Sequence, residues 1–204
     1  DPFQISTVNE WLSYQIGKVL GIDVMPYRLD IYEEIPVSIS PCKCKDHTDF
    51  VNAQQILSFY SSSRAYQLQY NTYISILTKR GIQNAKKKLS DMFVLDYLLM
   101  NTNRKPSNMG ILFDTTDNTW LDVMPIFDNG DSLACRLKDD ELKDCETKSR
   151  YQLFNATDIF FDGLFPFILF DQYDFNSLKS LPQLYGDELV KLQKYTHISD
   201  KRIE

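Results

Sequence analysis

Two polar residues, Asn108 and Asp128, have side chains of the kind that binds a divalent metal, and a third polar residue, Asn103, precedes them in the same region. Asn108 and Asp128 flank two apolar runs, MGILF (109–113) and WLDVMPIF (120–127), which are joined by DTTDNT. Such runs separated by a short turn predict a β-hairpin. Because a hairpin brings its two outer ends together, Asn108 and Asp128 should meet. An amide oxygen and a carboxylate suit Mg2+, which proteins usually hold together with substrate phosphates.

The same residues also have a purely structural interpretation. Asn108 can cap a turn, and Asp128-Asn129-Gly130 can itself be a tight turn, because Asp, Asn and Gly are all common turn residues. The hairpin alone leaves both interpretations open.

The elements before the hairpin predict an α+β fold with a small β pair near the front. Thr7 and Glu10 fit a T-x-x-E capping box at the start of a first helix, which Gly21 ends. Residues 27–40 alternate between apolar and polar types, as in a β pair. The polar segment PCKCKDHTD (41–49) is expected to be a turn.

Helices are expected next, at about 52–60, 70–80 and 84–100. The third is apolar nearly all round from residue 92 to residue 100, which is typical of a buried helix. We therefore expect it to be the central element that leads into the loop at 101–108. The fold is predicted to be mainly helical, with the hairpin in the middle of the chain.

The order of these elements resembles a protein-kinase catalytic core: a buried helix, a loop, a hairpin, then D-x-G. The loop NRKPSN (103–108) resembles the kinase loop DLKPEN. Lys105, Pro106 and Asn108 match that pattern, and Asn103 stands where kinases have the catalytic Asp. DNG (128–130) stands where kinases have DFG.

A closer resemblance is to the HipA-like kinases, the bacterial toxin kinases and their relatives. DMFVLDYLLMNTNRKPSNMGIL (91–112) and PIFDNGDSL (125–133) are similar to its two central blocks, and residues 9–29 and 199–204 are similar to its flanks. The resemblance implies a kinase-like C-terminal lobe at 51–204. It also implies that residues 1–50 are the end of an N-terminal lobe: a Glu-bearing helix, a β pair and a hinge-like turn.

The resemblance also implies roles for particular residues. Asn108 and Asp128 would hold Mg2+, and Glu10 would be the helix Glu that pairs with a phosphate-binding Lys. The adenine of ATP would lie against a hinge formed by Cys42, Lys43 and Cys44. Lys105 would contact the transferred phosphate, and Asn103 would meet the substrate hydroxyl.

Three departures from the kinase pattern oppose full activity. Asn103 is a neutral amide and cannot accept a proton, although a positioned general base contributes about 10²- to 10⁴-fold. Lys105 replaces the His of the HipA-like pattern. The glycine-rich loop and the strand Lys are not in this sequence. The prediction is therefore ATP- and Mg2+-dependent phosphoryl transfer to a protein Ser/Thr hydroxyl, either intact or impaired. The alternative is a non-catalytic pseudokinase, and a third hypothesis is a plain helical interaction domain.

Composition opposes some classes of partner and compartment for this protein. The net charge of -6 and pI near 5.0 oppose direct nucleic-acid binding, which needs a basic face. No run reaches the roughly 18 apolar residues of a membrane span. The four cysteines show no disulfide framework, so we expect a cytoplasmic protein, and the family resemblance implies a bacterial one. The resemblance implies a protein substrate and, as further partners, an antitoxin or a complementary N-lobe chain.

Several other patterns leave alternatives. Cys42, Cys44 and His47 form either a zinc site or a β-edge turn with buried thiols, and they lack the second ligand pair that strong zinc motifs show. Asp96, inside the apolar helix, is either a structural support for the loop or a surrogate base. A group of phenylalanines late in the chain forms either core or a partner surface: Phe154, Phe160, Phe161, Phe165, Phe167, Phe170 and Phe175.

Overall fold

The computed structural model of the chain describes residues 5–60, 65–145, 150–154 and 156–203. The helices are α1 (Ser6–Leu20), α2 (Ala53–Tyr60), α3 (Tyr66–Lys79), α4 (Ala85–Leu99), α5 (Leu181–Leu192) and α6 (Asp200–Ile203). The strands are β1 (Arg28–Tyr32), β2 (Ile35–Ile39), β3 (Thr48–Asn52), β4 (Gly110–Asp114), β5 (Trp120–Val123), β6 (Tyr151–Leu153) and β7 (Ala156–Ile159). None of the described helices is both long and apolar enough to span a bilayer.

The predicted α+β architecture is confirmed. β1 and β2 form an antiparallel pair near the front, and β4 and β5 form the expected antiparallel hairpin. A third antiparallel pair, β6 with β7, lies later in the chain.

β3 corrects the prediction of a polar turn at residues 41–49. This strand is antiparallel to β4 and makes a three-stranded sheet of the hairpin. Asn52 pairs with Gly110, where a Cβ atom would collide with the Val51 carbonyl oxygen. The strand was hidden because its residues, TDFVN, are polar at both ends. The expected lobe boundary after residue 50 falls inside β3.

α1 begins two residues earlier than expected, with Ile5 instead of Thr7 before its first residue, and without the predicted capping box. The hydroxyl of Thr7 has no hydrogen-bond partner in the described part of the chain, and the residue before the helix, Ile5, makes no side-chain cap. The Glu10 carboxylate instead accepts hydrogen bonds from backbone groups more than a hundred residues away. The capping box is wrong because a tertiary partner competes for the same carboxylate.

α4 is the buried central helix that the sequence predicts. Ten of its residues are buried, and the seven apolar ones, among them Phe93, Leu95 and Leu99, join the main hydrophobic cluster. The helix ends at Leu99, and Met100 takes a left-handed conformation with φ 49°. This turn directs the chain into the loop at 101–108.

The phenylalanine cluster divides between core and surface. Phe154 and Phe167 are buried, as the core interpretation predicts. Phe160 is 58% exposed, and Phe165, Phe170 and Phe175 are also exposed, so for these residues that interpretation is wrong. They lie on or beside the short 3-10 turns between Phe161 and Leu178, which follow the surface and cannot bury every ring.

Candidate active site

The hairpin brings Asn108 and Asp128 into direct contact. The Asn108 Nδ2 amide donates to the Asp128 carboxylate and also to the Asn103 carbonyl oxygen, at 3.2 Å. The Ser107 hydroxyl donates to Asn108 Oδ1 at 3.0 Å. Two of the three polar residues that flank the hairpin in sequence therefore touch, and the third reaches them through its backbone.

The donor set at this contact fits Mg2+. Carboxylate and amide oxygens are the hard ligands that the ion takes from proteins, and the Asp128 side chain lies at the surface. In the present arrangement the amide nitrogen of Asn108, and not its oxygen, faces Asp128. Binding the ion requires Asn108 to offer its oxygen, because an N–H donor cannot ligate a cation.

Arg104 clamps the loop and the D-x-G turn to α4. It is fully buried, and all five of its N–H groups have acceptors. Nε and Nη2 donate to the Asp96 carboxylate at 3.0 and 2.8 Å. Nη1 donates to the carbonyls of Asn108 and Phe127 at 3.0 and 2.7 Å, and Nη2 also donates to Asn129 Oδ1 at 2.6 Å. Burial opposes the charge of Arg104, but the pairing with Asp96 prevails and raises its pKa.

Asp96 is a structural support for this clamp. Its side chain is fully buried and accepts hydrogen bonds from Asn101 Nδ2 at 2.9 Å and from the Tyr151 hydroxyl at 2.6 Å, besides those from Arg104. Burial, followed by the charge of Asp96, raises the pKa of Tyr151 well above its ordinary value. A carboxylate so enclosed cannot reach a substrate, so the surrogate-base interpretation of Asp96 is wrong.

Glu10 joins α1 to the D-x-G turn. Its Oε1 accepts hydrogen bonds from the backbone N–H groups of Asn129 and Gly130 at 2.8 and 3.0 Å. Burial raises the pKa of Glu10, and the Asn129 hydrogen bond opposes this rise. Within the described ranges Glu10 forms no ion pair with a lysine, so the structure ties it to the turn that carries Asp128.

A second link between α1 and the turn was not apparent from the sequence. The buried Asn9 donates through Nδ2 to the carbonyls of Gly130 and Ser132, both at 2.9 Å. The Tyr185 hydroxyl, on α5, donates to Asn9 Oδ1 at 2.6 Å. Asn9 therefore saturates its amide by bridging the D-x-G segment and the C-terminal helix.

The chain after α1 also reaches the site. Val24 forms an isolated parallel bridge with Ile126, two residues before Asp128. The charges of Glu10 and Asp128 act on Tyr27, whose pKa is raised first by burial and then by Glu10. Sequence analysis missed Tyr27, and its place in an ordinary β-pair pattern offered no signal.

Lys105 and the predicted hinge residues do not form part of the contact between Asn108 and Asp128. Lys105 is exposed at the edge of the loop, and its backbone N–H donates to the Asn103 carbonyl at 2.9 Å. Cys42, Lys43 and Cys44 lie between β2 and β3, where the Cys42 thiol donates to the Cys44 carbonyl at 3.0 Å. In the described part of the chain, no hydrogen bond joins these three residues to the loop or to Asp128.

Asn103 has a partner that the sequence did not indicate. Its Nδ2 donates to Asp131 Oδ2 at 2.9 Å, and its backbone N–H donates to Asn101 Oδ1 at 3.0 Å. Arg136 binds both oxygens of Asp131, with Nε 2.9 Å from Oδ1. Asp131 lies three residues beyond Asp128, close enough in sequence for it to share this site.

The fold is similar to that of a kinase of known structure. The proinflammatory kinase CtkA of Helicobacter pylori superposes with a TM-score of 0.68 over 96% of this chain and 80% of its own, at 19% sequence identity. No protein-family model matches the sequence, and no curated protein matches it. The chain therefore has a kinase-like fold, and its resemblance to the HipA-like family remains a prediction.

Proposed function

We propose that the chain is a HipA-like kinase lobe that transfers the ATP γ-phosphoryl group to a protein Ser/Thr hydroxyl. The observation that carries this proposal is the contact between Asn108 and Asp128, beside the Asn103 carbonyl, at one end of the hairpin. The kinase-like fold supports it, because the fold predicts metal and phosphate binding at this place. A protein substrate, and an antitoxin or an N-lobe chain as a partner, belong to the same proposal.

Each residue then has a role in positioning or charge stabilisation. Asn108 and Asp128 would hold Mg2+, which neutralises the phosphate charge when bound. Lys105 is exposed at the loop edge and would contact the transferred phosphoryl group, where a fixed positive charge lowers the barrier. Cys42, Lys43 and Cys44 would line the adenine side.

Asn103 would orient the attacking hydroxyl without accepting its proton. The hydroxyl oxygen bonds to the γ-phosphorus, the bond from that phosphorus to the bridging oxygen breaks, and its electron pair leaves with ADP. Because an amide has no basic site, the hydroxyl proton passes to a non-bridging oxygen of the transferred group. Transfer through a loose transition state depends mainly on positioning and electrostatics, so the loss of a base at 103 slows the reaction without preventing it.

Asn103 also favours a second candidate function, a pseudokinase that binds nucleotide without catalysis. Both candidates require a nucleotide site, and only the first requires transfer. ADP release and phosphorylated protein in the presence of Mg2+-ATP would support the kinase. Nucleotide binding with no transfer would support the pseudokinase.

Thermal melting tests the nucleotide site itself. Mg2+-ATP at 100 times its dissociation constant should raise the free energy of unfolding by about 2.7 kcal/mol. ATP with EDTA should give a smaller rise, and Asp128→Ala should abolish the Mg2+-dependent part. Asp171→Ala is a matched control, since Asp171 is exposed and lies outside the site. An unchanged melting temperature at millimolar Mg2+-ATP contradicts the proposal for this chain.

A further inference from the structure

Asp131 is attached to the loop at 101–108 by both its backbone and its side chain. Its carbonyl oxygen accepts from the Thr102 backbone N–H at 3.1 Å and from the Thr102 hydroxyl at 3.3 Å. Its carboxylate accepts from Asn103 Nδ2 at 2.9 Å. The Asp131 side chain is 15% exposed, so this carboxylate is largely withdrawn from solvent beside Asn103.

The pairing determines which way the Asn103 amide points. An ionised carboxylate only accepts hydrogen bonds, so the amide nitrogen must face Asp131 and the amide oxygen must face away. No donor in the described part of the chain reaches that oxygen, and the Asn103 side chain is half-buried. The oxygen is therefore available to accept a hydrogen bond from an incoming hydroxyl.

We propose that the carboxylate absent from position 103 has been relocated to Asp131, which orients Asn103 and supplies negative charge through their hydrogen bond. The proposal rests on the phosphoryl-transfer function given above. Hydrogen bonds to a charged partner are about twice as strong as neutral ones, and they polarise the groups they join. The Asn103 oxygen thus becomes a better acceptor for the substrate hydroxyl.

Arg136 completes the arrangement from the solvent side. Its side chain is 66% exposed, and its guanidinium donates hydrogen bonds to both carboxylate oxygens of Asp131. An ion pair so open to water is worth little by itself. It nonetheless holds the Asp131 carboxylate in the rotamer that reaches Asn103. Asp131 is a positioning residue, because it acts on the substrate only through Asn103.

The proposal makes an unusual prediction about restoring the kinase pattern. Asn103→Asp alone places two carboxylates at hydrogen-bonding distance, and like charges there disfavour ionisation of one of them. Combining it with Asp131→Asn reverses donor and acceptor but keeps one negative charge and one hydrogen bond. The double variant should therefore be the better enzyme, although N103D alone looks like the repair.

The experiment compares the unaltered chain with D131A, N103D and N103D/D131N, with D171A as the control. Melting first establishes folding and Mg2+-ATP binding, and then ADP release and protein-bound phosphate are measured. D131A should transfer about 10²-fold more slowly, the usual loss from mispositioning, while its nucleotide-dependent melting shift is retained. N103D/D131N should transfer phosphate faster than N103D, because the double variant removes the repulsion between two facing carboxylates.

The outcomes separate this inference from the proposed function. If Mg2+-ATP does not stabilise the unaltered chain, the proposed function fails and this inference fails with it. If nucleotide binds but D131A transfers as fast as the unaltered chain, or N103D equals the double variant, only the relocation of the carboxylate is overturned. If nucleotide binds and neither the unaltered chain nor the double variant transfers phosphate, the relocation is likewise overturned and the pseudokinase stands.

Discussion

Arg104 and Asp96 form an ion pair in which both side chains are fully withdrawn from solvent, with Arg104 Nη2 2.8 Å from Asp96 Oδ1. Burying two charges is costly, and the pair is stable only because every remaining donor and acceptor is also satisfied. Arg104 meets this condition by donating to the backbone carbonyls of Asn108 in the loop and of Phe127, the residue before Asp128. The buried pair therefore sets the geometry at which Asn108 and Asp128 meet.

Replacing Arg104 should destabilise the protein severely. Arg104→Met leaves the buried Asp96 carboxylate without its opposite charge, which typically costs about 3–5 kcal/mol. Arg28→Met is the matched control, since Arg28 forms an ion pair with Asp30 in which the side chains are 64% and 46% exposed. Exposed pairs contribute about 0–1 kcal/mol. Urea unfolding at neutral pH measures both, and equal shifts of the two midpoints would contradict the clamp.

Glu10 should make stability depend on pH in a direction opposite to that of an ordinary salt-bridged carboxylate. Burial raises its pKa above the ordinary 4.5, so the folded state binds this proton more tightly than the unfolded chain. The stabilisation from Glu10 is therefore full below 4.5 and is lost as pH rises through the raised pKa. Glu10→Gln keeps an oxygen acceptor for Asn129 and Gly130 and does not titrate.

The test is the free energy of unfolding of Glu10→Gln and of the unaltered chain from pH 4 to pH 8. The variant should gain stability relative to the unaltered chain as pH rises, because only the latter loses the protonated Glu10. A difference that is constant with pH, or that changes in the opposite sense, would show that Glu10 is not held in a raised-pKa environment.

The contact between Asn108 and Asp128 was predictable because it depends on local pairing. Two apolar runs and a short turn define the hairpin, and β4 and β5 then bring the flanking residues together. The position of α4 was predictable for a similar reason, since a helix that is apolar nearly all round has to be buried.

The clamp around Arg104 was not predictable, because its partners come from three separate segments. Nothing local distinguishes a buried arginine from an exposed one, and Arg104 lies in a polar loop, NTNRKPSN.

Glu10 illustrates the opposite error, in which a local pattern predicts a contact that the fold does not form. T-x-x-E is a sound local pattern, but the N–H groups of Asn129 and Gly130, unknown from sequence, take the carboxylate. The Asn103–Asp131 pair was likewise hidden, although both residues lie within the two blocks already singled out.

The division of the phenylalanine cluster can be tested with two like substitutions. Phe154 is fully buried, and its ring packs edge-on against Tyr73 at 6.3 Å. Phe154→Ala should cost about 3–5 kcal/mol, as is usual for a large core ring. Phe160 is 58% exposed, and the Arg150 guanidinium lies 4.0 Å from its ring centroid. Phe160→Ala should cost no more than about 1 kcal/mol, the value of an exposed cation–π contact. Chemical denaturation measures both, and a large loss at Phe160 would show that the turn segment packs against core.

Two glycine-to-alanine substitutions should have opposite signs. At Gly130 a Cβ atom would lie 3.1 Å from Ser6 Cβ and 3.5 Å from Glu10 Oε1, so α1 or the turn must move. Overpacking of this kind costs about 1–3 kcal/mol, and here the movement would also loosen the hydrogen bonds from the turn to Glu10. At Gly186, within α5, nothing lies within 4 Å of an added Cβ. Alanine there should stabilise by about 0.5–1 kcal/mol, since glycine weakens a helix interior.

Thermal melting measures the change in stability of both variants. Because the D-x-G turn carries Asp128, Gly130→Ala should also reduce the Mg2+-dependent shift with ATP, whereas Gly186→Ala should leave it intact. A Gly130→Ala protein as stable as the unaltered chain would mean that α1 and the turn are not packed as closely as the structure describes.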